Sequence, residues 1–282
     1  MSGLAELSQR HARLQEISGI MTAMKNLSLV EVHKLAQFIG HQQRMRANIE
    51  AAAADFTPFH PDTCACNTSG PVAILVLVGS ERGFCGNFNE RIVQALDNLP
   101  PRYATASLLV VGQRLGTRLA GHSRVVGFLE GATVTEEVPA VLERVLEAVH
   151  PMQIAALQGR PAFLCLAHNE HGDPALIQLL PIASTITGQP RMNAPQLLMT
   201  PEAFYQGLLD EFLLAALYGE LYMSLAAESR SRLAHMQNAI DRLDQTMVRL
   251  ALRRNTLRQE RIVEEIEVLL SSEMAFSQRK NA

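Results

Sequence analysis

The chain has 282 residues, 48% of them hydrophobic, enough for one or two sizeable cores, and its net charge of −3 gives no general pull toward nucleic acid or anionic lipid. Aromatic residues make up 5%, tryptophan is absent and there are eleven methionines, a mixture that suits long, adaptably packed helices better than a β-sandwich. No apolar run nears the ~20 residues of a membrane span, and the N-terminus has no signal-peptide core or Arg/Ser-rich presequence, so a soluble chain made where it works is expected.

All thirteen prolines fall between Pro58 and Pro201, together with twelve of the seventeen glycines. Both residues interrupt helices, so the two flanks are free to run as long helices around a compact centre. Residues 1–57 form the first arm. Alternating steps of three and four from Leu7 meet Leu14, Ile17, Met21, Met24, Leu35, Phe38, Met45, Ile49 and Ala52, with Arg10, Ser28, Glu31 and Gln42 as polar exceptions. That is a coiled-coil seam with a weak middle, on a helix roughly 75 Å long at about 1.5 Å per residue.

Next come His60, Cys64 and Cys66. A structural zinc takes four well-spaced ligands, so the expectation here is a loop with reduced thiols and no metal. Residues 70–195 read as a Rossmann-like α/β domain inserted between the arms. Val72–Val78 is continuously apolar, as befits a strand buried on both faces. Further strands are expected at Ser107–Val111, Val125–Leu129, Ala162–Ala167 and Ala175–Leu180, with helices at Phe88–Leu99, Gln113–Ala120 and Glu136–Val149. The segment 202–276 forms the second arm. Leu233, Met236, Ile240, Leu243, Met247, Leu250, Arg254 and Leu257 keep 3/4 spacing, and after a phase shift Ile262, Ile266 and Leu269 continue it. A helix of about 110 Å exceeds what this domain can bury, so the arms are expected to pair as an antiparallel coiled coil, the second overhanging by ~20 residues.

The first strand is followed by Ser80-Glu81-Arg82-Gly83-Phe84-Cys85-Gly86-Asn87-Phe88-Asn89. A glycine-bearing strand-to-helix turn is a common phosphate site, but neither dinucleotide nor P-loop spacing is present. A tight turn with positive φ at Gly83 or Gly86 is the better reading.

This decapeptide resembles the corresponding signature of the gamma subunit of F-type ATP synthases. So do Ile20-Met21-Thr22-Ala23-Met24-Lys25, the stretch from Ala227-Glu228 through Arg232, Met236 and Ala239, and Asn255-Thr256-Leu257-Arg258-Gln259 with Ile262, Glu265 and Ile266. The motifs stand in family order from end to end. Thr22, Val263 and Val268 depart from the usual lysine, threonine and glutamate, marking a divergent member.

The resemblance implies a central rotor shaft that couples ion translocation to ATP synthesis or hydrolysis, with no catalytic residue, cofactor or metal of its own. Its implied partners are the alpha- and beta-type subunits of the catalytic hexamer, an epsilon-type subunit and the membrane rotor ring. The implied location is peripheral, on the cytoplasmic face of a bacterial inner membrane. The candidate contacts with the catalytic subunits are Arg258, Gln259, Met24 and Lys25, while Arg82, Gly83 and Gly86 belong to the structural turn. The dense charge run from Arg253 to Glu265 otherwise reads as a solvated helix face, and no histidine is given a catalytic role. Two other classes compete: a nucleotide-binding α/β enzyme with helical arms, and a coiled-coil scaffold. The first would need phosphate-cradling and metal-holding residues, and the second leaves the ordered motifs unexplained.

Overall fold

The computed structural model describes residues 2–64, 72–155, 162–180 and 194–280. The chain opens with the long helix α1 (Ser2–Phe56) and a single turn, α2 (Pro61–Cys64). The centre runs β1 (Val72–Val78), α3 (Phe88–Asp97), β2 (Ser107–Val111), α4 (Gln113–Arg118), β3 (Val125–Leu129), α5 (Val138–Ala155), β4 (Ala162–His168) and β5 (Pro174–Leu180). It closes with α6 (Pro201–Lys280). Pro201 stands at the first helical position, where its missing N–H costs nothing, and the Thr200 hydroxyl accepts from the Ala203 amide at 3.3 Å. Cys64 is half-buried in α2; Cys66 lies outside the described residues.

The five strands lie in the order β3-β2-β1-β4-β5. β1 pairs in parallel with β2 and β4, and β5 returns antiparallel to β4. Because strand side chains alternate, each face has its own cover. Leu75, Leu77, Leu108, Val110, Leu164 and Leu166 pack with Ile92 and Leu96 of α3 and Leu115 of α4. The opposite face, carrying Ile74, Val76, Leu109, Phe163 and Cys165, packs on α5, on Leu35 of α1 and on α6 from Phe212 to Ala226. A continuously apolar β1 follows from this double cover.

The chain divides into two compact units, residues 27–233 and residues 1–26 with 234–282. The division cuts both long helices, because their roots share a core with the sheet. In the larger unit, α1 and α6 run antiparallel. Phe38 stacks on Tyr222, the Arg46 guanidinium lies over the Phe212 ring, and Phe56 packs on Phe204 and Tyr205. In the smaller unit, the Lys25 ammonium donates to the Gln237 side-chain carbonyl at 3.1 Å.

The α6 seam is the one its spacing predicts: from Met236 to Leu257 every seam position is sheltered, while most residues between them are exposed. The α1 seam differs. Ile17, Phe38 and Met45 are 45%, 43% and 37% exposed, while the adjacent Ser18, Ile39 and Arg46 turn inward. Leu7, Leu14, Met21, Ser28, Leu35, Gln42 and Ile49 belong to either track, so alternation of three and four fits two seams offset by one residue at every second position. The packed one includes His11, Lys25 and Arg46, whose long or flat side chains can shelter a stem while the polar end reaches out.

Candidate functional site

In the signature decapeptide, the side chains of Ser80, Glu81, Cys85 and Asn89 bond to groups of the chain itself. The Ser80 amide donates to Asn89 Oδ1 at 2.9 Å, Asn89 Nδ2 donates to Ser80 Oγ at 2.8 Å, and the Cys85 thiol donates to the same Oγ at 3.3 Å. Glu81 Oε2 accepts from the backbone amides of Gln113 and Gly131, at 2.9 and 2.7 Å. Ends of parallel strands leading into helices are where phosphates bind in doubly wound folds, and here the chain's own carboxylate takes those amides.

The turn needs positive φ at two residues, Gly86 (62°) and Phe84 (64°), and Gly83 is not among them. Gly86 thus supplies the positive φ expected at Gly83 or Gly86, and Phe84, 55% exposed, adds a second left-handed position that no glycine serves. The glycines that are sterically required lie beside the loop. A Cβ on Gly79 would stand 2.3 Å from that of Leu115, and Gly112, at φ 105°, would put one 2.7 Å from the Gly79 carbonyl oxygen.

The loop instead grips α6. Ser231 Oγ donates to the Cys85 carbonyl at 2.7 Å, and Arg232 Nε donates to the Gly83 carbonyl at 3.3 Å. Arg232 also pairs with Glu228 one turn back, and both side chains are buried. Cys85, Phe88 and Ala227 form a small apolar cluster beneath these bonds. Burial pushes the Glu228 carboxyl up to about 7, against the pull of the Arg232 guanidinium and the Glu81 amide. Burial likewise raises the Cys85 thiol, disfavouring its thiolate. A second tie lies on α1, where Glu31 accepts from the Thr135 amide (3.1 Å) and hydroxyl (2.8 Å) just before α5.

Two of the sequence motifs, the decapeptide and the stretch from Ala227 to Arg232, thus meet in one joint. Arg82, Gly83 and Gly86 lie in it, Arg82 with its side chain in solvent. The other expected site residues lie in the smaller unit. Met24 and Lys25 are half-buried on α1. Arg258 and Gln259 are exposed on α6, some 30 Å along the helix from Gln237 at about 1.5 Å per residue. The expectation had not included Glu228, Ser231 and Arg232 as site residues. Their signal was an acid and a base four apart inside an otherwise apolar helix face.

Residues 3–276 match the family described as ATP synthase. The ATP synthase gamma chain of Methylibium petroleiphilum is 24% identical over 93% of this chain and 96% of its own length. That of Frankia casuarinae is 25% identical over 97% and 98%. Among solved structures, a chain of the Euglena gracilis mitochondrial ATP synthase, in a structure titled OSCP/F1/c-ring, superposes with a TM-score of 0.67 at 14% identity, covering 99% of this chain and 96% of that one. With the fold, the helix arms and the ordered motifs all in agreement, this chain belongs to the ATP synthase gamma-chain family, as a divergent member.

Proposed function

We propose that the chain is the central rotor shaft of a rotary ATP synthase, coupling ion translocation in a membrane ring to ATP synthesis or hydrolysis in a catalytic hexamer, and that it performs no catalysis itself. The observation that carries the reading is the joint: in a family signature loop the side chains of Ser80, Glu81 and Asn89 are bonded within the domain and the Gly83 and Cys85 carbonyls hold α6, where an enzyme would turn such groups to a ligand. Torque applied to the sheet passes into α6 through the Gly83–Arg232 and Cys85–Ser231 bonds and through the shared core. A scaffold would not need that stiffness. A nucleotide enzyme would need the amides that Glu81 accepts from.

The partners are the alpha- and beta-type subunits around the paired helices, with an epsilon-type subunit and the rotor ring at the α/β domain. Arg258 and Gln259, exposed and turned away from the seam, supply charged and amide donors for contacts made at one rotational angle and broken at the next. Met24 and Lys25 contribute from α1. Beyond Leu257 the exposed Ile262, Val263, Ile266 and Leu269 suit a low-friction apolar bearing. No helix among the described residues is long and apolar enough to cross a membrane. As part of such a complex, the shaft is peripheral, on the cytoplasmic face of a bacterial inner membrane. Copurification from the native host through a tag on this chain tests the proposal. Nucleotide-binding subunits and an epsilon-like protein should come down in fixed ratio, and a chain recovered without them would overturn it.

A further inference from the structure

The larger unit holds a carboxyl that the joint with the signature loop does not use. Glu220 lies on α6 among the residues that cover the sheet, 2% exposed. Arg46 of α1 approaches one of its oxygens at 3.8 Å, too far for a good hydrogen bond, and the other oxygen has no partner among the described residues. Arg46 is meanwhile bound at 2.9 Å to Glu50, one turn on, with its guanidinium 5.5 Å above the Phe212 ring. From β4, Cys165 faces the same place; its fully buried thiol is pushed up by burial and further by the Glu220 charge. The charged and titratable groups around Glu220 are therefore Arg46, with Glu50 behind it, on α1 and Cys165 on β4. One half-exposed cation thus has two carboxylate claimants, one wet and one in the core.

We propose that Glu220 is a proton-linked latch where α1, α6 and the sheet meet: protonated, it rests in the core as a neutral acid while Arg46 stays on Glu50; ionised, it draws Arg46 off Glu50 and into the core. An isolated carboxylate costs far more to bury than a carboxylic acid, so one proton taken from solvent changes which claimant holds the arginine. Burial pushes the Glu220 carboxyl up to about 7, with Arg46 pulling the other way, so the exchange falls near neutral pH. The latch stands on this geometry alone. Its consequence, a joint between shaft and sheet whose tightness follows local pH, rests on the rotor reading.

The test uses the full-length chain labelled with carbon-13 at glutamate side-chain carboxyls, titrated from pH 4 to 9 by NMR. Wild-type protein should show a carboxyl with a midpoint near 7 that is missing in Glu220→Gln. Arg46→Gln should move that midpoint higher by removing the opposing charge that the described residues supply, and the Glu50 resonance should shift in step with Glu220 in wild type only. Glu220 titrating with the surface glutamates, or a midpoint unmoved by Arg46→Gln, would overturn the proposal. So would a Glu50 resonance indifferent to Glu220. None of these readouts depends on assembly with partners, so failure of the latch and failure of the rotor reading are separate results.

Discussion

Arg232→Met removes the grip of α6 on the signature loop while keeping most of the apolar stem. Two hydrogen bonds disappear, a long one to the Gly83 carbonyl and one to Glu228, together worth roughly 1.5 kcal/mol. The remainder depends on pH. In wild type the Glu228 carboxyl sits at about 7, above the ordinary 4.5, so the stability it contributes is full below pH 4.5 and declines as pH rises to 7. Without Arg232 the carboxyl rises further and the decline continues past 7, by about 1.4 kcal/mol per pH unit. The substitution should therefore cost about 1.5 kcal/mol at pH 6 and about 3 kcal/mol at pH 8, the second value lying at the low end for a broken buried ion pair. Urea unfolding of the full-length chain at the two pH values reads this directly. The double variant Glu228→Gln, Arg232→Met should lose the pH dependence of the cost. Equal cost at pH 6 and pH 8 would refute the reasoning, because Glu228 would then not be the group left unpaired.

Three further outcomes follow from the same geometry. Replacing Arg258 and Gln259 together by alanine should leave assembly intact yet lower ATP turnover of the complex about tenfold, the worth of one partly exposed charged hydrogen bond, and more than the control Arg249→Ala; unchanged turnover in a fully assembled double variant would mark them as plain solvated surface. With Lys25→Cys and Gln237→Cys, at positions whose long side chains meet tip to tip at 3.1 Å, a bifunctional thiol reagent of matching span should join the two cysteines within one chain in the assembled complex, and crosslinks found only between chains would contradict the antiparallel pairing. Gly112→Ala, at φ 105° and 2.7 Å from a backbone oxygen, should lower stability by about 1–3 kcal/mol in a thermal melt, whereas Gly121→Ala, at φ 83° in open space, should show the backbone strain alone.

Much of the architecture was legible before any coordinate. Proline is absent from α1 and stands in α6 only at its first position, and the two helices hold only five scattered glycines, so backbone hydrogen bonding runs unbroken through both, and no tertiary contact is needed to know it. Continuous apolar runs marked β1 and β4 because a strand covered on both faces has no solvent side to make polar. The decapeptide and the residues from Ala227 to Arg232 could each be recognised alone, but that they touch could not. Gly83 and Arg232 are 149 residues apart, and local periodicity has no term for such a contact.

Three features were settled only by packing. The α1 pattern allows two seams, and the choice that exposes Ile17 and Phe38 depends on what α6 presents to α1. The positive φ at Phe84 follows from a loop pinned at both ends, by Asn89 and by α6, where a free turn would have left it to a glycine. The spacing of Glu228 and Arg232 marks a pair in sequence, but neither Glu220 nor Glu228 shows there that its carboxyl is buried. Only the sheet and α1 closing over one, and the signature loop closing over the other, remove the water that would hold their carboxyls near 4.5, and desolvation is a property of the assembled fold, not of the helix.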